Sequence, residues 1–187
     1  MRRVTTRGEV VAAAMEVLKR EGYSGVNARS VAKAAGCSTQ PIYNLFESMD
    51  ELKKELLAAG NQEYFACVEE ERGRGEYPPY KCFGMAYVKL AAKEKQLFQF
   101  LFMRERSENE SVDGQEELAG VVKEVQKATG LSFEEAYAMH LEVWIFVHGL
   151  AAQLATGYVE WDMETAANFI SDAYSAIKEL FLKRKKV

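Results

Sequence analysis

Between Ser38 and Asn44 the chain reads "STQPIYN", five neutral hydrogen-bonding side chains in seven positions: Ser38, Thr39, Gln40, Tyr43 and Asn44. Each can both donate and accept a hydrogen bond, and none is a general base at neutral pH. Such a row suits the recognition of polar edges, such as nucleic-acid bases and phosphate oxygens, rather than bond making. Chemistry of other kinds finds little support. His140 and His148 are the only histidines, and eight residues along one helix sets them about 12 Å apart, so no metal site follows from their spacing. Cys37, Cys67 and Cys82 are odd in number and far apart, which fits small apolar core residues in a reducing cytoplasm. There is no glycine-rich phosphate loop and no serine or cysteine nucleophile motif, and Glu134 with Glu135 reads as helix-start charge. The expectation is a binding protein that is not an enzyme and needs no cofactor or metal.

The elements that must carry the polar row are helical. From Glu9 to Glu21 apolar residues recur at helical spacing until Gly22. Asn27 is a good N-cap for a second helix, Ala28 to Ala35. Gly36 then supplies the left-handed exit of a sharp turn, and Ser38 can cap a third helix from Thr39 to about Leu45. Pro41 falls in its first turn, where no intrahelical bond is lost. "SMDE", Ser48 to Glu51, is a capping box opening a long fourth helix to about Arg72. "GRGEYPP", Gly73 to Pro79, is the clearest break, followed by helices in "YKCFGMAYVKLAAKE" and "KQLFQFLFMRER". "SENESVDG", Ser107 to Gly114, reads as a polar loop, and helices follow near Gln115 to Thr129, from the Ser132–Glu135 capping box through "AMHLEVWIFVHGLAAQLATG", and after Asp162. No segment reads as a strand. The fold class expected is all-α, about nine helices, with residues 1-50 as one domain and 51-187 as a second.

Helix, glycine turn and helix form a helix-turn-helix, whose second helix is presented to the major groove. Charge placement agrees. Residues 1-50 hold seven bases and five acids, against 17 and 23 in the remainder, within a net charge of −4. Screening confines each charge to its neighbourhood, so an acidic protein can bind a polyanion through one basic end. The 187 residues, 48% hydrophobic, suffice for a full core. The apolar run Val143 to Ala155 is too short to span a bilayer, and the N-terminal run is interrupted by Glu16 and Lys19 before signal-peptide length; a cytoplasmic protein without a membrane span is expected.

The run Ala13 to Leu56 resembles the DNA-binding region of the TetR family of bacterial transcriptional regulators. The resemblance rests on the alanine-rich first helix and its closing glycine, Val31-Ala32, Gly36-Cys37-Ser38, Ile42-Tyr43, Phe46 and Asp50-Glu51-Leu52. "WIFVHG", Trp144 to Gly149, resembles a Trp-His-Gly signature in the ligand domain of one branch. The resemblance implies that Thr39, Gln40 and Asn44 read bases beside Ser38, that Tyr43 contacts phosphate, that Arg29 reaches base or phosphate, and that Asn27 combines capping with a phosphate contact. Arg2, Arg3 and Arg7 would form a basic arm along the DNA. Met49 stands where the family usually has a phosphate-gripping lysine. It further implies a homodimer on a palindromic double-stranded operator, a repressor released by a small apolar or aromatic effector, and an effector pocket drawing on Tyr64, Tyr87, Phe98, Phe102, Arg104, Trp144 and His148. The competing reading is an effector-independent structural or protein-interaction factor on the same fold. On the helix after Ser132, Tyr137, His140, Trp144, His148 and Ala151 would face a core. Ala138, Glu142, Gly149, Gln153 and Thr156 would then face a partner, in a four-helix bundle completed by the last helix.

Overall fold

The computed structural model describes residues 5–105 and 115–184. Among them are nine α-helices and no strand: α1 Arg7–Glu21, α2 Ala28–Ala34, α3 Gln40–Leu45, α4 Met49–Arg74, α5 Pro79–Lys93, α6 Lys95–Phe102, α7 Gln115–Thr129, α8 Phe133–Thr156 and α9 Met163–Arg184, with a 3-10 turn at Tyr23–Gly25. Two compact units divide the chain. One runs to Phe65 and takes in Glu94–Arg104; the other comprises Ala66–Lys93 and the residues from Glu105 onward. The loop expected at Ser107 to Gly114 and the arginines Arg2 and Arg3 lie outside the described residues.

The first unit is built on α1. This helix begins two residues earlier than its apolar periodicity indicates, because Thr6 and Glu9 form a reciprocal capping box. The Thr6-x-x-Glu9 spacing carries that signal in the sequence. Val10, Ala14, Val17 and Leu18 are fully buried, as are Val31 of α2 and Leu52 and Leu56 of α4, with Ala32 and Ile42 nearly so, and α1 packs against α2 and α6. Each such large apolar side chain contributes about 1.5–3 kcal/mol by leaving water. α6 is enclosed on Leu97, Phe98, Phe100 and Leu101. It lies close against α4 at Gly60, where an added Cβ would come within 2.9 Å of Leu101 Cδ2.

In the second unit α8 is the central helix, packed against α5, α7 and α9. Its core face is Ala136, Met139, Val143, Val147, Leu150 and Leu154, which corrects the face expected from sequence. Tyr137, His140, Trp144 and His148 are half-buried, and of that set only Ala151 is fully buried. The helix is apolar around most of its circumference, so periodicity could not fix its rotation, and the polar-tipped residues took the flank. Ala138, Glu142, Gly149 and Thr156 are exposed as expected, whereas Gln153 is half-buried and accepts a hydrogen bond from Trp161 Nε1 at 3.3 Å. Val122, Val125, Leu131, Ala136, Met139 and Phe181 close one end of the core across α7, α8 and α9. The end of α4 is tied to α5 by Glu71, 3% exposed, whose two oxygens accept from Lys89 Nζ at 2.7 and 2.6 Å. Of the cysteines, Cys82 is buried and Cys37 and Cys67 are half-buried.

Candidate nucleic-acid interface

α2 starts where Asn27 stops the preceding turn. Its Oδ1 accepts from the N–H groups of Arg29 and Ser30, both at 3.1 Å, and its Nδ2 donates to the Gly25 carbonyl. The Asn27 side chain is thus engaged in capping at both ends. Arg29, next along, is exposed, as is Lys33 on the same helix. After Ala35 the chain reverses at Gly36, at φ 65°, a left-handed conformation in which a β-carbon is strained. Cys37 N–H closes the turn by donating to Ala32 O at 3.0 Å.

α3 opens one residue later than expected. Thr39 is its boundary residue, with αR backbone and no capping bond from its side chain. Pro41 sits in the first turn, where a missing N–H costs nothing. Ile42 and Phe46 are buried and hold the helix down, while Ser38, Gln40, Tyr43 and Asn44 are exposed and Thr39 is half-buried. Tyr43 is 59% exposed. Gln40 Nε2 donates to Asn44 Oδ1 at 3.0 Å, one turn on. The structure therefore brings Ser38, Thr39, Gln40, Tyr43 and Asn44 onto one segment, with Asn27 and Arg29 at the start of the preceding helix.

Arg7 has a different place from the basic arm along the DNA that the resemblance implies, being the first residue of α1. From the first turn of α1 its guanidinium donates to the carbonyl of Leu45, the last residue of α3, and to Glu51 and Glu55 on α4, and lies 4.3 Å over the Phe46 ring. Glu55 and then Glu51 raise the arginine above its usual pKa. Arg7, followed by the N–H of Glu47, holds the Glu51 carboxyl below its own usual value. Glu51 N–H donates to Ser48 Oγ at 3.2 Å, so half of the expected capping box forms; the other half goes to Glu47 N–H at 2.6 Å. Met49 is the first residue of α4.

The residues suggested for an effector fall in both units. In the first, Tyr64 packs edge-on to Phe102 at 5.6 Å, and Phe102 lies 5.2 Å from Phe98. Arg104 lines a separate open cleft of about 280 Å³ with Gly22, Tyr23, Lys53, Gln99 and Phe100. Tyr23 stacks on Phe100 at 4.9 Å and carries Lys53 Nζ 5.1 Å over its ring; burial chiefly raises its pKa. Nothing in the spacing of Tyr23, Lys53 and Phe100 marks this cleft in the sequence. In the second unit Tyr87 Oη lies 2.8 Å from His148 Nδ1, and the His148 ring stacks at 5.1 Å on Trp144. Burial lowers the pKa of His148. A parallel pair, Tyr80 Oη and His140 Nδ1 at 3.0 Å, sits beside Tyr174, and burial lowers His140 to about 4. Among the described residues no cluster of three or more His, Cys, Asp or Glu side chains could hold a metal ion, and no helix is long and apolar enough to cross a membrane.

Residues 10–56 match the family "Bacterial regulatory proteins, tetR family", and residues 81–173 match "Tetracyclin repressor-like, C-terminal domain". The second match does not single out a branch marked by Trp144, His148 and Gly149. No curated protein matches the chain. Among solved structures, a TetR-like transcriptional regulator from Rhodococcus sp. RHA1 superposes with a TM-score of 0.68 at 14% identity, covering 93% of this chain and 96% of its own. A protein of unknown function from the same organism gives 0.74 at 19% identity, covering 95% and 96%. Another transcriptional regulator from that organism gives 0.60 at 18%, covering 94% and 97%. At these identities the likeness concerns the fold.

Proposed function

Because the chain belongs to the tetR family of bacterial regulatory proteins, non-catalytic DNA-binding regulators, we propose that it is a cytoplasmic repressor that binds a palindromic double-stranded operator as a homodimer and is released by a small apolar or aromatic effector. One observation carries the DNA-binding half. The exposed side of α3 is a row of neutral donors and acceptors, while Ile42 and Phe46 fix its other side in the core. Such a helix is spare to the fold and shaped for base edges. Gln40, Thr39 and Asn44 read bases, Ser38 assists, Tyr43 and Arg29 meet phosphate, and Asn27, which caps α2, adds a phosphate contact through the Nδ2 hydrogen that Gly25 does not take.

A single α3 covers only a few base pairs, so useful affinity needs a second copy about one helical turn of DNA away. Support for a second copy comes from α8 and α9, which leave Ile145 63%, Phe146 42%, Phe169 37% and Leu180 42% exposed, with Gly149 exposed between them in sequence. Effector binding is supported by the Tyr87–His148–Trp144 group of the second unit, an apolar setting with two polar tips. The test is selection of duplexes from a random pool, with sedimentation of the same sample. A dimer enriching an inverted repeat supports the reading; a stable monomer retaining no duplex overturns it. A thermal-shift screen of small aromatic metabolites, followed by operator-release titration, tests the effector half. Hits that stabilise the protein yet leave operator affinity unchanged would point to the effector-independent factor instead.

A further inference from the structure

Resting on the DNA-binding reading, the geometry points to adenine as the base read by α3, with Gln40 as the reading residue and Asn44 as the residue that sets its polarity. The argument begins with what α3 lacks. Neither the turn Gly36 to Thr39 nor α3 itself contains a lysine or arginine, so the commonest guanine contact, a cationic fork on O6 and N7, has no donor there. Ser38 and Thr39 hydroxyls rotate freely between donor and acceptor and discriminate little. The information falls on the two amides.

A free glutamine amide carries two N–H donors and a carbonyl, and could turn two donors toward the two acceptors of guanine or one of each toward adenine. In this chain a neighbour biases that choice. Gln40 Nε2 spends one hydrogen on Asn44 Oδ1 at 3.0 Å, and both residues are exposed. What remains outward is one N–H beside one carbonyl oxygen. Adenine alone presents the complement on its major-groove edge, an N6–H donor beside the N7 acceptor; guanine would set its O6 against the Gln40 carbonyl. Asn44 therefore acts as a positioning residue for specificity, separate from the affinity supplied by phosphate contacts.

The experiment uses the full-length protein and duplexes selected from a random pool, and begins by locating the base pair whose preference Gln40→Ala erases. That pair is expected to be A·T in each half-site. Its replacement by G·C should weaken wild-type binding about 5- to 150-fold, and replacing the adenine by 7-deazaadenine, which lacks only the N7 acceptor, should weaken it without altering the salt dependence. Asn44→Ala, besides losing the base contact of its own, should narrow the A-over-G ratio at the Gln40-dependent pair, because the freed Nε2 hydrogen can then serve guanine. A Gln40-dependent pair that is G·C, or one indifferent to 7-deazaadenine, overturns the assignment while leaving operator binding intact. An A-over-G ratio unchanged by Asn44→Ala overturns the role of Asn44. Failure to retain any duplex removes the DNA-binding reading, and this inference with it.

Discussion

At the scale of single residues, the interface separates side chains already committed to the fold from those left over. Asn27 is committed, since its amide satisfies two backbone N–H groups and one carbonyl. Asn27→Ala should cost about 1 kcal/mol of stability in urea unfolding, the usual value of an N-cap. Tyr43 is left over, with 59% of its surface in water. Tyr43→Phe should therefore leave the unfolding midpoint within experimental error and weaken binding to specific and random duplexes alike, as loss of a phosphate contact does. A selective loss on one sequence would instead make Tyr43 a base reader. Met49 opens α4 without a charge. Met49→Lys should tighten binding and steepen its salt dependence by up to about one phosphate equivalent, measured by titration across salt concentrations.

At the scale of elements, Arg7 links the α1 start, the α3 end and the first turns of α4 through Leu45 O, Glu51 and Glu55. Glu51 is depressed by that contact, so its contribution is complete above the ordinary carboxylate range and is lost as pH falls through the folded value; Asp162, which caps α9, behaves likewise. His140 works in a higher window. Held at about 4 by burial against about 6.5 when unfolded, it leaves the unfolded chain binding the extra proton between those values. Stability is thus unaffected above about 6.5, declines by up to about 3 kcal/mol on acidifying to about 4, and is flat below. Urea unfolding across pH checks this, and His140→Gln should flatten most of that slope; His148, lowered in the same direction, accounts for some of what remains. These couplings were the least legible part of the chain. Caps and breaks such as Asn27, Gly36 and Ser132 are written in adjacent residues, so helix order and the exposed row on α3 could be read directly. Arg7 with Glu55, Tyr80 with His140 and the rotation of α8 depend on residues 40 to 60 positions apart or on a helix apolar nearly all round, and no local pattern encodes them.

At the scale of the whole molecule, the proposed function depends on two copies acting together, and the exposed faces of α8 and α9 are where that dependence can be tested. Ile145 is 63% exposed on a helix whose opposite side is core, an arrangement that gains nothing in an isolated chain. A charge there costs the monomer little, because the position is already in water, but it would have to be desolvated in a dimer. Ile145→Glu is therefore expected to leave the thermal midpoint of the dilute protein nearly unchanged while shifting sedimentation from dimer toward monomer at micromolar concentration. Operator affinity should fall by more than tenfold, since a single α3 forfeits the second half-site, whereas affinity for one isolated half-site should stay the same. If Ile145→Glu remains dimeric and binds the full operator normally, the second copy docks elsewhere. The effector adds a condition at the same scale. A ligand releases DNA only through differential affinity for the bound and free conformations, and linkage obliges DNA to weaken ligand binding by the same factor. Titrating a thermal-shift hit with and without saturating operator measures that factor from both sides. Trp144→Ala, which removes the ring stacked on His148, should abolish ligand binding in both titrations while leaving operator affinity of the unliganded protein within about twofold, well below the tenfold step that 1.4 kcal/mol represents.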